Sequence, residues 1–124
     1  MTRSNLLIIA AVSGFVAVAM GAFGAHGLKP LLNDYQLDIY KTAVNYQMWH
    51  TLLLTLTAML PGQRLLRWVA VLLIAGILLF SGSLYLLAIF NIRWLGMITP
   101  IGGLAFLGAW ALLAWVAYHQ VERD

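Results

Sequence analysis

The sequence contains no cysteine, and only 9% of its 124 residues are charged. The first absence removes disulfides, thiolate nucleophiles and cysteine-based metal centres. The second removes most acid–base chemistry. The four acidic residues are Asp34, Asp38, Glu122 and Asp124, and none lies within an apolar run. No carboxylate pair is available for general acid–base work at membrane depth. Proton-coupled transporters commonly place Asp or Glu inside the membrane, so a small drug–proton antiporter is disfavoured. The seven Lys and Arg are scattered and form no basic stripe with interleaved aromatics. Nucleic-acid binding therefore has no support.

What remains is apolar. Hydrophobic residues make up 63% of the chain and mean hydropathy is +0.90, where soluble domains average about 45–50% apolar and about 25% charged. Four apolar runs fill the chain, and a run of about 20 residues crosses a bilayer as a helix. The expected fold class is an all-α membrane protein. It is a single domain over 1–124, with transmembrane helices at about 6–25, 42–60, 68–90 and 95–118. Short connections between long helices imply an up-down-up-down bundle.

Arg3 before the first run, and Ala22-Phe23-Gly24-Ala25 near its end, look superficially like a signal peptide with a cleavage site. Signal cores are usually about 7–15 residues, so the longer run reads as a retained helix. Ala10, Gly14, Ala17, Gly21 and Ala25 share one of its faces, a small-residue seam of the kind that brings helices together in lipid. Gly27 offers a left-handed end to this helix. Pro30 and Asn33 punctuate the stretch 28–41; Asn33 is placed to cap a helix starting at Asp34. That stretch reads as a short interfacial helix before helix 2. Pro61-Gly62 ends helix 2, and Gln63, Arg64 and Arg67 form a polar loop. Helix 4 starts either at Trp94 with a kink at Pro100, or at Thr99 with Pro100 in its first turn. Several tryptophans and Tyr118 fall near the expected interfaces.

With four spans both termini share a side. Arg3, Arg64, Arg67 and Arg123 lie there, against Lys29, Lys41 and Arg93 opposite. Four against three favours cytoplasmic termini, though so small a bias also admits dual insertion.

His50 is the unusual position. It lies roughly 12 Å into helix 2 at 1.5 Å per residue. Tyr46, Gln47 and Thr57 extend a polar stripe around it. Antiparallel matching sets it against Phe80 to Ser83, and predicts a hydrogen bond to Ser81, Ser83 or Tyr85. The belt serves either as helix glue or as a contact for a ligand or proton. Ser81 and Ser83 beside His50 loosely resemble a nucleophile and base, but no orienting acid exists in the membrane. His26, at the end of helix 1, suits a cap or headgroup contact; His119 reads as interfacial. No metal site is expected, because His26 and His50 differ in depth and lack acidic partners. No cofactor is called for. Gly14 and Gly21 are read as packing positions of the helix 1 seam. Gly82, Gly102, Gly103 and Gly108 are read as packing positions too, with a groove for a lipid tail or quinone-like ligand as the alternative.

Four blocks now stand out: Gly21-Ala22-Phe23-Gly24-Ala25-His26, Tyr46-Gln47 with His50, Phe80-Ser81-Gly82-Ser83-Leu84-Tyr85, and Thr99-Pro100-Ile101-Gly102-Gly103. In this order they resemble the YgdD-like family of small bacterial inner-membrane proteins, which carry a domain of unknown function. That family is distantly similar to a small animal transmembrane protein. The resemblance covers essentially the whole chain. It implies four transmembrane helices, the inner membrane and no established activity. It marks His26, Tyr46, Gln47, His50, Ser81, Gly82, Ser83, Thr99 and Pro100 as motif positions without assigning them a role.

The leading functional expectation is a non-enzymatic packing or accessory component of the lipid bilayer that self-associates as a homo-oligomer or joins another membrane protein. The alternative is a carrier or channel for a small or amphipathic solute, using the belt around His50.

Overall fold

The computed structural model describes residues 1–61 and 64–119. Gly62, Gln63 and Arg123, which entered the loop and orientation expectations, lie outside the described residues. Every regular element among the described residues is helical. Helix α1 spans Arg3–Phe23 and continues through a π-helical turn, Gly24–Leu28. Helix α2 spans Asp34–Met59. Helix α3, Arg64–Gly76, a second π turn, Ile77–Ser81, and α4, Gly82–Phe90, form one continuous rod. A short 3₁₀ turn, Arg93–Met97, precedes α5, Thr99–His119.

Three of these rods, Arg3–Leu28, Arg64–Phe90 and Arg93–His119, are long and apolar enough to cross a membrane. Helix α2 is not among them; it carries more polar residues, of which Gln47, His50, Thr51 and Thr57 are buried.

Local sequence explains the ends. Thr2 accepts the Asn5 amide at the start of α1. Asn33 and Gln36 form a reciprocal capping box for α2, satisfying two orphan donors of its first turn. The interfacial segment expected before helix 2 is therefore the first turns of α2 itself, which starts at Asp34 rather than Thr42. The cap and the apolar contacts of Tyr40 with the α1 end keep the segment in register with the span. Gly27 does not adopt a left-handed conformation. No glycine among the described residues has a positive φ, and the π turn carries helix 1 on to Leu28 instead. The left-handed position is Asn91, φ 54°, which ends α4. The fourth helix takes the second of its two readings: a separate turn covers Trp94, and Pro100 lies in the first turn of α5, where its missing N–H costs nothing.

Helix α2 packs on α1 and on the α3–α4 rod, and α5 packs on α3 and the second π turn. Backbone packing between α2 and α5 is sparse among the described residues. One buried cluster contains Leu6, Leu54, Ala58, Leu66 and Val116; another contains Leu28, Tyr40 and Ala88. The glycines divide by role. A Cβ at Gly102 would overlap the backbone of Leu79 and Phe80, and one at Gly76 would overlap the Phe106 ring. A Cβ at Gly14 would stand 3.6 Å from Thr51, and one at Gly21 would stand 3.4 Å from Val44. Gly82, expected to serve packing, has open space where a Cβ would stand.

Gly102→Ala is expected to lower stability by about 1–3 kcal/mol, because the backbone it meets cannot rotate away. Gly82→Ala should be neutral or stabilising by up to about 1 kcal/mol through helix propensity. Unfolding in mixed detergent micelles measures both, and equal effects at the two glycines would contradict this assignment.

Candidate functional site

Helix α2 carries the polar side chains and the neighbouring helices supply their partners. The Gln47 amide donates to the Ser13 carbonyl of α1 at 2.9 Å and accepts the Tyr85 hydroxyl of α4 at 2.6 Å. One side chain thus joins three helices. Ser13 and Thr51 share a hydrogen bond of 2.7 Å between α1 and α2. The Ser81 hydroxyl donates to the Ala43 carbonyl at 2.8 Å. Ser83 pairs with Thr99 at 2.6 Å, tying α4 to the start of α5. The Tyr40 hydroxyl donates to the Met20 carbonyl just before the first π turn. No buried side-chain nitrogen or oxygen among the described residues lacks a partner.

His50 does not bond to Ser81, Ser83 or Tyr85, as the sequence reading expected. Its Nδ1 lies 2.8 Å from the Tyr46 carbonyl, and the indole N–H of Trp110 donates to its Nε2 at 3.1 Å. The reason is register. Tyr40 stacks edge-on with Tyr85, and Ser81 reaches Ala43, so His50 lies beyond the serines, toward Gly76. There the absent side chain of Gly76 admits the Phe106 ring, which stacks on His50 with centroids 3.6 Å apart and planes within 12°.

These rings form the wall of a cleft of about 820 Å³ between α2 and α5. Tyr46, Trp49 and His50 line it from α2, Phe80 from the π turn, and Phe106 and Trp110 from α5. Pro100, Gly103, Leu104 and Leu107 complete it. Tyr46 packs on Phe80 with centroids 4.7 Å apart. Only Tyr46 and His50 among the lining residues present an oxygen or a basic nitrogen, so the cleft is not a continuous polar channel.

The sequence-selected positions therefore separate. Tyr46, His50 and Gly103 meet at the cleft, and Pro100 stands at its edge. Gln47, Ser81, Ser83, Tyr85 and Thr99 belong to the inter-helix bonds. Gly102 sits against the second π turn, and a Cβ at Gly82 would meet open space. His26 is exposed in the first π turn, away from the cleft. Sequence reasoning missed Trp110, Phe106, Ser13, Thr51, Gly24 and Gly76. Trp110 has the clearest available signal, being a tryptophan well inside helix 4 rather than near an interface. The small-residue seam of helix 1 lies against α2 through Ala10, Gly14, Ala17 and Gly21.

Comparison with known proteins places the chain. The family model described as "Protein of unknown function (DUF423)" matches residues 20–103. The chain belongs to this family. The UPF0382 membrane protein SH2409 of Staphylococcus haemolyticus is 45% identical over 86% of this chain and 89% of the relative. The UPF0382 inner membrane protein YgdD of Escherichia coli K12 is 42% identical over 91% of this chain and 88% of the relative. No solved structure matches. The DUF423 protein described here is thus a membrane protein, and the resemblance carried by its four motif blocks is family membership.

The Gln47–Tyr85 bond yields a test within this network. Gln47→Leu and Tyr85→Phe are each expected to destabilise the fold, and the double variant by less than their sum. The coupling expected for one such bond is about 0.6–1.7 kcal/mol. A double-mutant cycle in bicelles measures it, and strict additivity would mean the bond does not form in the bilayer.

Proposed function

We propose that this DUF423 protein is a four-span inner-membrane protein that binds a lipid-soluble, ring-bearing molecule entering sideways from the bilayer into the cleft between α2 and α5. The observation that carries the reading is the cleft's lining, in which six of ten residues are aromatic or imidazole rings. Aromatic rings favour offset or edge contacts with other rings, and such walls suit a flat ligand. A second lipid-side cleft makes the contrast. It has about 340 Å³ and is lined by Ile8, Ile9, Val12, Val16, Ile74, Ile77 and Leu78, with only Ser13 and Gln47 as polar neighbours. Aliphatic walls of that kind suit an acyl chain. Rings are gathered at one cleft and aliphatics at the other, so the α2–α5 cleft is more than a gap for bulk lipid.

Four spans in up-down-up-down order account for the two buried clusters, because each gathers residues from alternate helix ends. Helix α2, 26 residues long, reaches about 39 Å at 1.5 Å per residue, and its buried polar side chains are bonded inside the bundle. The inner-membrane placement follows the name of the Escherichia coli relative, and cytoplasmic termini follow the arginines near them. A binding role rather than catalysis fits a chain with no carboxylate between Asp38 and Glu122. Self-association through the helix 1 seam has less behind it, since α2 already covers that seam.

Native mass spectrometry from lipid nanodiscs tests the binding role. The wild type is expected to retain a reproducible small-molecule mass distinct from phospholipid. Gly103→Leu, which fills the cleft while its Cβ meets only the edge of Phe80, should lose that mass and keep its thermal stability. The same mass retained in Gly103→Leu, or none in either protein, would count against the cleft. Topology has a direct test as well, because a chain without cysteine accepts single reporter cysteines. Ser4→Cys should be labelled only from the cytoplasmic side and Asn91→Cys only from the opposite side, and labelling of both from one side would break the four-span order.

A further inference from the structure

The hydrogen bonds of His50 fix which ring the cleft prefers. A carbonyl oxygen can only accept, so the His50 Nδ1 that faces the Tyr46 carbonyl at 2.8 Å carries the hydrogen. An indole nitrogen can only donate, so Nε2, which receives the Trp110 N–H at 3.1 Å, presents its lone pair. One neutral tautomer satisfies both demands. The two partners differ in permanence. The Tyr46 carbonyl is the backbone of the preceding turn of the same helix, and it holds the tautomer whatever Trp110 does. Trp110 belongs to a different helix and is 48% exposed at the cleft rim, while His50 is 4% exposed on its floor. At His50 the cleft therefore offers a fixed acceptor paired with a replaceable donor.

We infer that the cleft selects a ring bearing a hydroxyl group, whose O–H inserts between Trp110 and His50. This rests on the ligand-binding reading above. The inserted oxygen accepts the indole N–H, and its own hydrogen goes to Nε2. Every donor and acceptor of the original pair remains satisfied, with one hydrogen bond gained. An ether or ketone oxygen of the same ring also accepts from Trp110 but has no hydrogen for Nε2, and strands a buried acceptor. A bare hydrocarbon leaves the pair closed and gains only ring contacts. Inside the bilayer no bulk water repairs a stranded group, so the discrimination falls on the hydroxyl hydrogen. The ligand class is a lipid-soluble phenol or comparable ring alcohol.

The test uses the full chain in phosphatidylcholine nanodiscs, with β-naphthol and its methyl ether as probes. Both concentrations are referred to the bilayer after correction for partition. The readout is the indole N–H resonance of Trp49, which lines the cleft and is kept in every variant. Both probes should shift it saturably, with β-naphthol binding about tenfold or more tightly, the size of one stranded buried partner. Trp110→Phe leaves Nε2 without its donor and removes the donor an ether can use, so the ratio of the two affinities should widen several-fold. His50→Phe keeps a ring against Phe106 and should bring the ratio to about one. If His50→Phe does not fold, the Trp110→Phe ratio decides alone. Equal saturable affinities in the wild type, or a naphthol preference unchanged by Trp110→Phe, would overturn the hydroxyl assignment and leave the cleft as a ring-binding site. No saturable shift with either probe would overturn both.

Discussion

Polar groups in a bilayer have no solvent to fall back on, and every one carried into the membrane must find its partner within the protein. In the four-span arrangement proposed above, this constraint shapes the bundle around α2. Gln47 is the centre of it, because its two amide ends face different helices. Its nitrogen donates to the Ser13 carbonyl of α1 and its oxygen accepts from Tyr85 of α4. Remove the helix on either side and half of a buried amide is stranded. Thr51 and Ser81 repeat the pattern on a smaller scale. The position of α1 against α2, and of α4 against α2, is thus set by donors and acceptors as well as by packing. Lipid tails are as apolar as leucine and do not press helices together, which makes this polar addressing the more valuable.

The attachment of α5 is different in kind. Gly102 lets its backbone lie directly on the second π turn, and Ser83 with Thr99 fixes the start of the helix. Toward α2 its backbone packing is sparse among the described residues. The interval is spanned by side chains: Phe106 enters the space left by Gly76, stacks on His50, and Trp110 reaches the other side of the imidazole. The cleft is a consequence of this arrangement. A helix that packs by backbone on one side and by rings on the other leaves a recess lined with rings.

Much of this was legible in the sequence, in proportion to how local the cause was. The apolar runs, the Asn33 cap and the small-residue face of helix 1 are each dictated by neighbours a few residues away. The choice of Gln47, His50, Ser81, Ser83 and Tyr85 as odd positions was equally local, since a polar side chain in an apolar run stands out without knowledge of its partner. Partners were not legible. Pairing His50 with the serines required the axial register of helix 2 against helix 3, and that register was set from a helix start placed at Thr42 instead of Asp34. The second π turn adds to the difficulty. It widens the helix at Ile77–Ser81, so faces counted at 3.6 residues per turn lose phase across it. The glycines of helices 3 and 4 are read by composition alone, which cannot tell Gly102 against backbone from Gly82 against open space.

The two functions weighed for His50 from sequence, helix glue and ligand contact, are not exclusive once its geometry is known. As glue it needs a donor for Nε2, and Trp110 provides one. A residue serving as glue alone would be best placed where its partner is enclosed, as Ser81 and Ala43 are. The His50 bond instead closes on an indole that lines the α2–α5 cleft. Its partner, Trp110, is about half exposed, whereas Ser13 and Tyr85, the side-chain partners of Gln47 and Thr51, are only partly exposed. A bond so placed holds α5 to α2 in the absence of a guest and can be exchanged for a guest's own hydroxyl without loss. On the proposed ligand-binding reading, the same imidazole closes the bundle and reads what enters it, which gives a reason for a histidine here where leucine would pack and serine would cap.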